Sequence, residues 1–287
     1  MDAIQARVLV TGGSGFIGSR LVAHLKRKRV RVTSIDSSKL DLRNEKCVED
    51  FLKTVHFDAI FHCASLGPNP GKLDKEDYIS QELLMTQNLL RFSSSNTKFL
   101  FLGSMSEYGA SGILNEQMIC APNTPYGVAK LKCTDSVILN GKQSGRNIVV
   151  ARIFGAYGPG EQASRLIPEI VKSVRCGNDL LLTDGEQTRD FVHVDYICSS
   201  LGRIFFDNLF EGQVVNIGSG KGLKIKDVVS ELVQEGYLNP NIVKFNAIDR
   251  RVTDQEILVA DVSKLTSKIP KDRNNVLRFI YEQSSRN

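Results

Sequence analysis

The chain has 287 residues, 41% of them hydrophobic and 24% charged, with a formal net charge of +5. That is apolar material for one large domain or two small ones, and its Lys and Arg residues are scattered rather than blocked, except at Lys26-Arg27-Lys28-Arg29. No apolar run approaches the length needed to span a bilayer, so no membrane partner is expected. Cys47, Cys63, Cys120, Cys133, Cys176 and Cys198 show neither a C-x-x-C pair nor metal-ligand spacing. Reduced thiols, no metal and a cytoplasmic setting are therefore expected. Asp2 and the lack of an apolar stretch behind it give no sign of a signal peptide.

In chain order, Val8 to Val10 reads as a buried strand, the stretch on to Gly18 as a glycine turn and the start of a helix, and Ser19 to Arg29 as its continuation with Leu21, Val22 and Leu25 inward. Between them lie Gly12, Gly13, Gly15 and Gly18, a turn that would leave backbone N–H groups and a helix N-terminus facing a pyrophosphate. Gly13-x-Gly15-x-x-Gly18 is one register of a dinucleotide-binding turn; Thr11-Gly12-x-x-Gly15-x-x-Gly18 is a second. Lys26-Arg27-Lys28-Arg29 closes the helix, where cations suit the C-terminus. It reads as a solvated helix end, and nucleic acid is not expected as a partner.

Val30 to Ile35 is strand-like and ends at Asp36, eighteen residues after Gly18. A carboxylate there would accept from the adenosine ribose and repel a 2′-phosphate, favouring NAD(H). Ser37, Ser38 and Lys39 could accommodate that phosphate, so NADP(H) stays open. The alternation continues with a helix over Glu45–Val55, a strand over Ala59–Cys63, a helix over Lys75–Phe92 and a strand over Phe99–Leu102. A helix over Pro125–Leu139 and a strand over Ile148–Ile153 complete it. This is the pattern of an α/β fold, a Rossmann-type doubly wound parallel sheet covered on both faces. Beyond Tyr157-Gly158-Pro159-Gly160 the elements shorten. Residues 1–160 are therefore expected to bind the dinucleotide. Residues 161–287 would form a smaller mixed α/β lobe, part of which completes the sheet. A substrate should sit between them, at the carboxyl ends of the strands.

Two groups could do chemistry at that edge. Ser104 ends the Phe99–Leu102 strand with a hydroxyl, although a lone Ser there is commonly a cap or turn residue. Tyr126 and Lys130, at i and i+4, share one helical face. A phenol ionises at about pH 10, and an ammonium beside it brings proton transfer nearer neutrality. Beside a dinucleotide turn, the three form a constellation for moving a proton and a hydride.

With these residues in view the chain resembles the extended short-chain dehydrogenase/reductases, the NAD-dependent epimerase/dehydratase family that modifies nucleotide sugars. The resemblance runs in order through Thr11–Gly18, Asp41-Leu42, His62-Cys63-Ala64-Ser65, Ser104 with Tyr108-Gly109, and Tyr126-x-x-x-Lys130. It continues through Arg152–Pro159, Asp184–Asp195, Asn216–Gly220, Arg251-x-x-Asp254 and Ala260-Asp261. It implies cofactor contacts from Gly12, Gly15, Phe16, Ile17, Gly18, Asp36, Asp41, Leu42, Cys63, Ala64, Ser65, Tyr126, Lys130 and Ile153. It implies substrate contacts from Ser104, Ser106, Gly155, Arg189 and Arg251, the two arginines holding a diphosphate. Either arginine could instead serve a salt bridge with Asp190 or Asp254. Ser104 would orient a sugar oxygen, Tyr126 would exchange its proton, and Lys130 would hold the nicotinamide ribose and depress the tyrosine pKa.

Departures from the family narrow the expectation. Met105 and Ser106 stand where dehydratases carry an acid–base pair, so sugar dehydration is disfavoured. The short run from Asp36 to Asp41-Leu42 and the short chain look more like the family's NDP-4-keto-6-deoxyhexose reductases of deoxysugar biosynthesis. Glu82 replaces a usual asparagine, which puts a proton-relay water in doubt, and Gly155 replaces another, which implies altered sugar contacts. A reductase acting at C4 is expected first and a nucleotide-hexose 4-epimerase second. A non-catalytic cofactor-binding protein comes last, since it would not need Ser104, Tyr126 and Lys130 together. A homodimer is expected through Lys75–Phe92 and Pro125–Leu139, with Leu83, Leu84, Leu131 and Val137 between subunits.

Overall fold

The structure, a computed structural model, describes residues 6–67 and 73–285. Its first half is β1 (Arg7–Thr11), α1 (Phe16–Arg27), β2 (Arg31–Ile35), α2 (Glu45–Thr54), β3 (Ala59–His62) and α3 (Lys75–Phe92). Then come β4 (Lys98–Ser104), β5 (Gly112–Leu114), α4 (Pro125–Ser144), β6 (Ile148–Ile153) and β7 (Gly155–Tyr157). The second half holds α5 (Leu166–Cys176), β8 (Leu180–Leu181), β9 (Thr188–His193), α6 (Val194–Phe206), β10 (Gln213–Ile217) and β11 (Gly222–Lys224). It ends with α7 (Ile225–Gln234), β12 (Val243–Lys244), β13 (Ile257–Ala260), α8 (Ser263–Thr266) and α9 (Val276–Ser284).

Six strands form the main sheet in the order β10-β6-β4-β3-β1-β2, and every pairing in it is parallel. A sheet buried on both faces needs strands with continuous apolar runs. β3, β4 and β6 are buried at every position. One face is covered by Leu21 and Leu25 of α1 with Ile197, Leu201 and Ile204 of α6. The other is covered by Val48, Leu89, Cys133 and Val137 of α2, α3 and α4. The order steps outward from β1 to β2 on one side and through β3 to β4 on the other. The crevice above β1 is therefore the point where the strand order reverses, the place such sheets use for ligands.

The chain crosses to its second half and returns: β10, beyond residue 160, closes the main sheet beside β6. A second sheet, β11-β9-β13-β5, joins strands of that half to β5 of the first, and β7 is added against β9. Its core is separate, with Ile167, Ile170, Val228, Leu232 and Ile280 of α5, α7 and α9 packed together.

Three expectations change here. α1 rises directly from the glycine turn at Phe16 but stops short of the expected Arg29. It ends at Arg27, with Arg29 already at a φ of 63°. α4 runs on to Ser144 and stops at Gly145, which takes the left-handed conformation glycine tolerates. Val137 is fully buried and Leu83 packs against the same cluster. Both therefore serve their own sheet and leave Leu84 and Leu139 as the exposed leucines of these helices. All six cysteines are free thiols. Among the described residues no helix is long and apolar enough to cross a membrane.

Candidate active site

The carboxyl ends of the parallel strands converge on a cleft of about 830 Å³. Of the residues singled out from the sequence, it is lined by Gly12, Gly15, Phe16, Ile17, Gly18, Cys63, Ser65, Ser104, Ser106, Tyr126, Lys130, Ile153, Gly155, Arg189 and Arg251. Asp36, Asp41, Leu42 and Ala64 are not on that wall.

The glycine turn is built for close approach. Gly12 has a φ of +64°, and a Cβ there would lie 2.7 Å from the Ala64 backbone. A side chain would be strained and would also clash. The turn opens α1, which has no side-chain cap at its N-terminus and no acidic residue in its first turn. A helix start without these leaves its N–H groups and positive dipole end to an external anion. These residues therefore fit the diphosphate of a dinucleotide. At the end of β2, the Asp36 carboxylate accepts from Ser38 N at 3.1 Å and Ser38 Oγ at 2.5 Å, and this hydroxyl bond holds its pKa down. Asp41 is clamped instead by the Arg43 guanidinium at 2.8 and 2.9 Å.

Ser104 ends β4 directly beside Ile153 of β6. Its Oγ accepts from Ser106 N at 3.1 Å, so it does cap the following turn, and its O–H is left to point a proton into the cleft. Lys130 is buried, with Nζ donating to Leu102 O at 3.3 Å and lying 5.8 Å from the Tyr126 ring centre. Burial alone would lower its pKa. The Glu82 carboxylate, followed by Tyr126, Cys133 and Glu107, outweighs that, and the net shift is upward. The ammonium is thus held charged beside the phenol. Glu82 is itself 2% exposed and accepts from Ser65 Oγ at 2.5 Å and Leu66 N at 2.6 Å. Its carboxylate therefore pins the loop after β3 while supporting the charge on Lys130.

Glu107, which the sequence did not single out, ties these parts together. Its Oε1 accepts from Ser104 N at 2.7 Å. Its Oε2 accepts from Thr134 Oγ1 at 2.9 Å and Arg152 Nε at 2.8 Å. Thr134 is one helical turn beyond Lys130, and Arg152 precedes Ile153. One fully buried carboxylate thus fixes β4, α4 and β6 relative to each other.

On the lobe side, Arg189 is only 13% exposed and is paired with Asp254 at 2.5 Å, so the salt-bridge alternative is realised with that partner. Asp190 plays no part in it. It is buried, and accepts from Ser219 N, Ser219 Oγ, Gly220 N and Ala260 N, joining β9 to the Asn216–Gly220 turn and β13. Arg251 is exposed and makes no ion pair among the described residues. The glycine at 155 has a steric reason: a Cβ would come 2.6 Å from Asp190 O on the neighbouring strand. Glu161, Gln162, Arg165 and Thr253 also line the cleft and were missed. Glu161 directly follows the Tyr157–Gly160 motif, but nothing in its sequence neighbourhood distinguishes it from a surface carboxylate. No group of His, Cys, Asp and Glu among the described residues could hold a metal ion.

A parallel sheet with a glycine turn at its switch point, and a Ser, Tyr and Lys gathered beside it, defines a nicotinamide-dependent short-chain oxidoreductase fold. The chain belongs to the NAD dependent epimerase/dehydratase family, which matches residues 8–218. It is 29% identical to a GDP-6-deoxy-D-talose 4-dehydrogenase of Aggregatibacter actinomycetemcomitans, over 98% of this chain and 97% of that protein. It is 26% identical to UDP-glucose 4-epimerase 2 of Oryza sativa subsp. japonica, over 97% of this chain and 80% of that one. RMD of Pseudomonas aeruginosa, solved with NADPH, superposes with a TM-score of 0.84 at 25% identity, covering 98% of this chain and 97% of its own. The protein is thus one of a family of NAD-dependent enzymes that modify nucleotide sugars.

Proposed function

We propose that the protein reduces a nucleotide-linked 4-keto-6-deoxyhexose at C4. The observation that carries the reading is the meeting of Ser104, Tyr126 and Lys130 in one cleft with the uncapped start of α1. The nicotinamide, when bound, supplies the hydride. Ser104 Oγ, fixed as an acceptor by Ser106 N, donates to the sugar carbonyl oxygen and orients it. Tyr126 gives that oxygen its proton, and the buried ammonium of Lys130 stabilises the phenolate left behind. The tyrosine then regains a proton from solvent. Met105 and Ser106 cannot act as the acid and base that eliminate water from a sugar, which supports reduction over dehydration. NADH is the preferred donor on the strength of Asp36, whose carboxylate meets the adenosine ribose and disfavours a 2′-phosphate.

The match to a UDP-glucose 4-epimerase supports a second reading, in which the same residues run oxidation and reduction on a retained NAD+. One experiment separates them: turnover across a panel of nucleotide sugars with added NADH, added NADPH or neither. Reduction needs stoichiometric nicotinamide, and epimerisation proceeds without it. Equal turnover with NADH and NADPH would remove the cofactor preference. On the active substrate, Tyr126→Phe should lower kcat by about 10²–10⁴-fold, the usual worth of a general acid. Near-normal turnover in that variant would show that the proton comes from elsewhere.

A further inference from the structure

Glu161 stands between β7 and α5, on the wall of the cleft that Ser104 also lines. Its N–H donates to Gly158 O at 3.2 Å, which folds the residue back against the wall. Its side chain is only 7% exposed, yet it lines the cleft. Oε1 is 3.9 Å from Arg165 Nε, and Oε2 is buried with no hydrogen-bond partner among the described residues. An orphaned buried carboxylate oxygen is costly, and a ligand is one way to satisfy it.

The position says which ligand group. The segment lies over the glycine turn, where a Cβ on Gly160 would meet the Phe16 ring at 3.8 Å. Phe16 opens α1, whose N-terminus is uncapped and without acidic residues in its first turn. The facing groups are Arg165 at the start of α5 and, behind Gly158, the His193 ring of β9, which burial keeps toward its neutral form. Helix start and guanidinium draw an anion to this corner. An ionised carboxylate would repel that anion, whereas a protonated one would donate to it. Burial pushes the Glu161 carboxyl up to about 7, against the pull of Arg165 and of the Gly158 backbone N–H, so the protonated form is within reach.

We propose that Glu161 is a diphosphate-contacting residue, taking a proton from solvent when a dinucleotide binds and donating it from its carboxyl group as a hydrogen bond to a diphosphate oxygen. The proposal rests on the dinucleotide reading of the glycine turn. It is tested by calorimetric titration of the full chain with NADH in buffers of different ionisation enthalpy. The wild-type protein should take up close to one proton near pH 8. Its Kd should weaken roughly 25-fold between about pH 6.5 and about pH 8.5, as Glu161 ionises in the free protein. Glu161→Gln should bind without proton uptake and with a flat pH profile. ADP-ribose, which keeps the diphosphate and lacks nicotinamide, should take up the same proton in the wild type. That arm needs no variant to fold. Absence of proton uptake in the wild type, its persistence in Glu161→Gln, or its loss with ADP-ribose would overturn the contact. Failure of NADH to bind at any pH would remove the dinucleotide reading and this contact with it.

Discussion

On the sheet side of the cleft the buried carboxylate of Glu107 has both oxygens bonded, to Ser104 N, Thr134 and Arg152. On the lobe side the buried carboxylate of Glu161 has one oxygen without a partner and a guanidinium no closer than 3.9 Å. The same residue type under similar burial thus serves opposite ends. Glu107 is satisfied before any ligand arrives and holds Ser104 and the Lys130 helix in place. Glu161 keeps one oxygen unpartnered, so a group entering the cleft can lower its free energy. Rigid, satisfied polar networks suit the groups that must be pre-positioned for chemistry. Unsatisfied ones suit groups that answer to binding.

The contrast is broken most sharply by removing the two charges in turn. Glu107→Gln keeps an acceptor for Ser104 N but leaves the Arg152 guanidinium buried without its carboxylate. Breaking a buried pair in this way costs about 3–5 kcal/mol, so urea denaturation should show a loss of that order. A loss below about 1 kcal/mol would mean that Glu107 is not the tie it is taken to be. Glu161→Gln should do the reverse. Its folded pKa of about 7 lies above the ordinary carboxylate value. The stability it contributes is therefore complete below the unfolded pKa and is lost as pH rises through about 7. The wild type should lose about 2–3 kcal/mol from this group between about pH 5 and about pH 9, and the Gln variant should not. Parallel stability–pH curves for the two proteins would refute the assignment.

The contrast also marks where sequence reasoning succeeded and where it stopped. β1, the glycine turn, β6 and the helix at Pro125 are legible because periodicity, a proline at the helix start and local turn chemistry all act within a few residues. The end of α1 at Arg27, short of Arg29, is not legible, because nothing in the run Lys26-Arg27-Lys28-Arg29 marks where the backbone leaves the helix. Glu107 and Glu161 are different. Each is one carboxylate among 32 acidic residues. What sets them apart is burial against segments 27 to 45 residues away for Glu107, and for Glu161 a place on the cleft wall next to Gly160, which approaches Phe16 of α1. Gly155 taught the same lesson. Its departure from the family pattern follows from the approach of Asp190 O on β9, a contact that sequence spacing does not reveal.

The two lobe-side arginines give the smallest and most specific test. Both were expected to hold the substrate's diphosphate, but Arg189 is spent on Asp254 while Arg251 is exposed and makes no ion pair among the described residues. Arg251 can turn to an incoming phosphate without breaking anything. Arg189 must share itself with a carboxylate that also accepts from Gln187 Nε2 at 3.2 Å. A hydrogen bond to a charged group contributes about 1.5–3 kcal/mol, so Arg251→Ala should raise KM for the nucleotide sugar by roughly 10–100-fold with little change in Tm or kcat. Arg189→Ala strands Asp254 and removes donors to Thr188 O and Glu256 O. Its main effect should be about 1 kcal/mol of lost stability, with a smaller rise in KM. Should Arg189→Ala raise KM more than Arg251→Ala, the Asp254 bridge must open on binding, and the lobe side of the cleft would rearrange around its ligand.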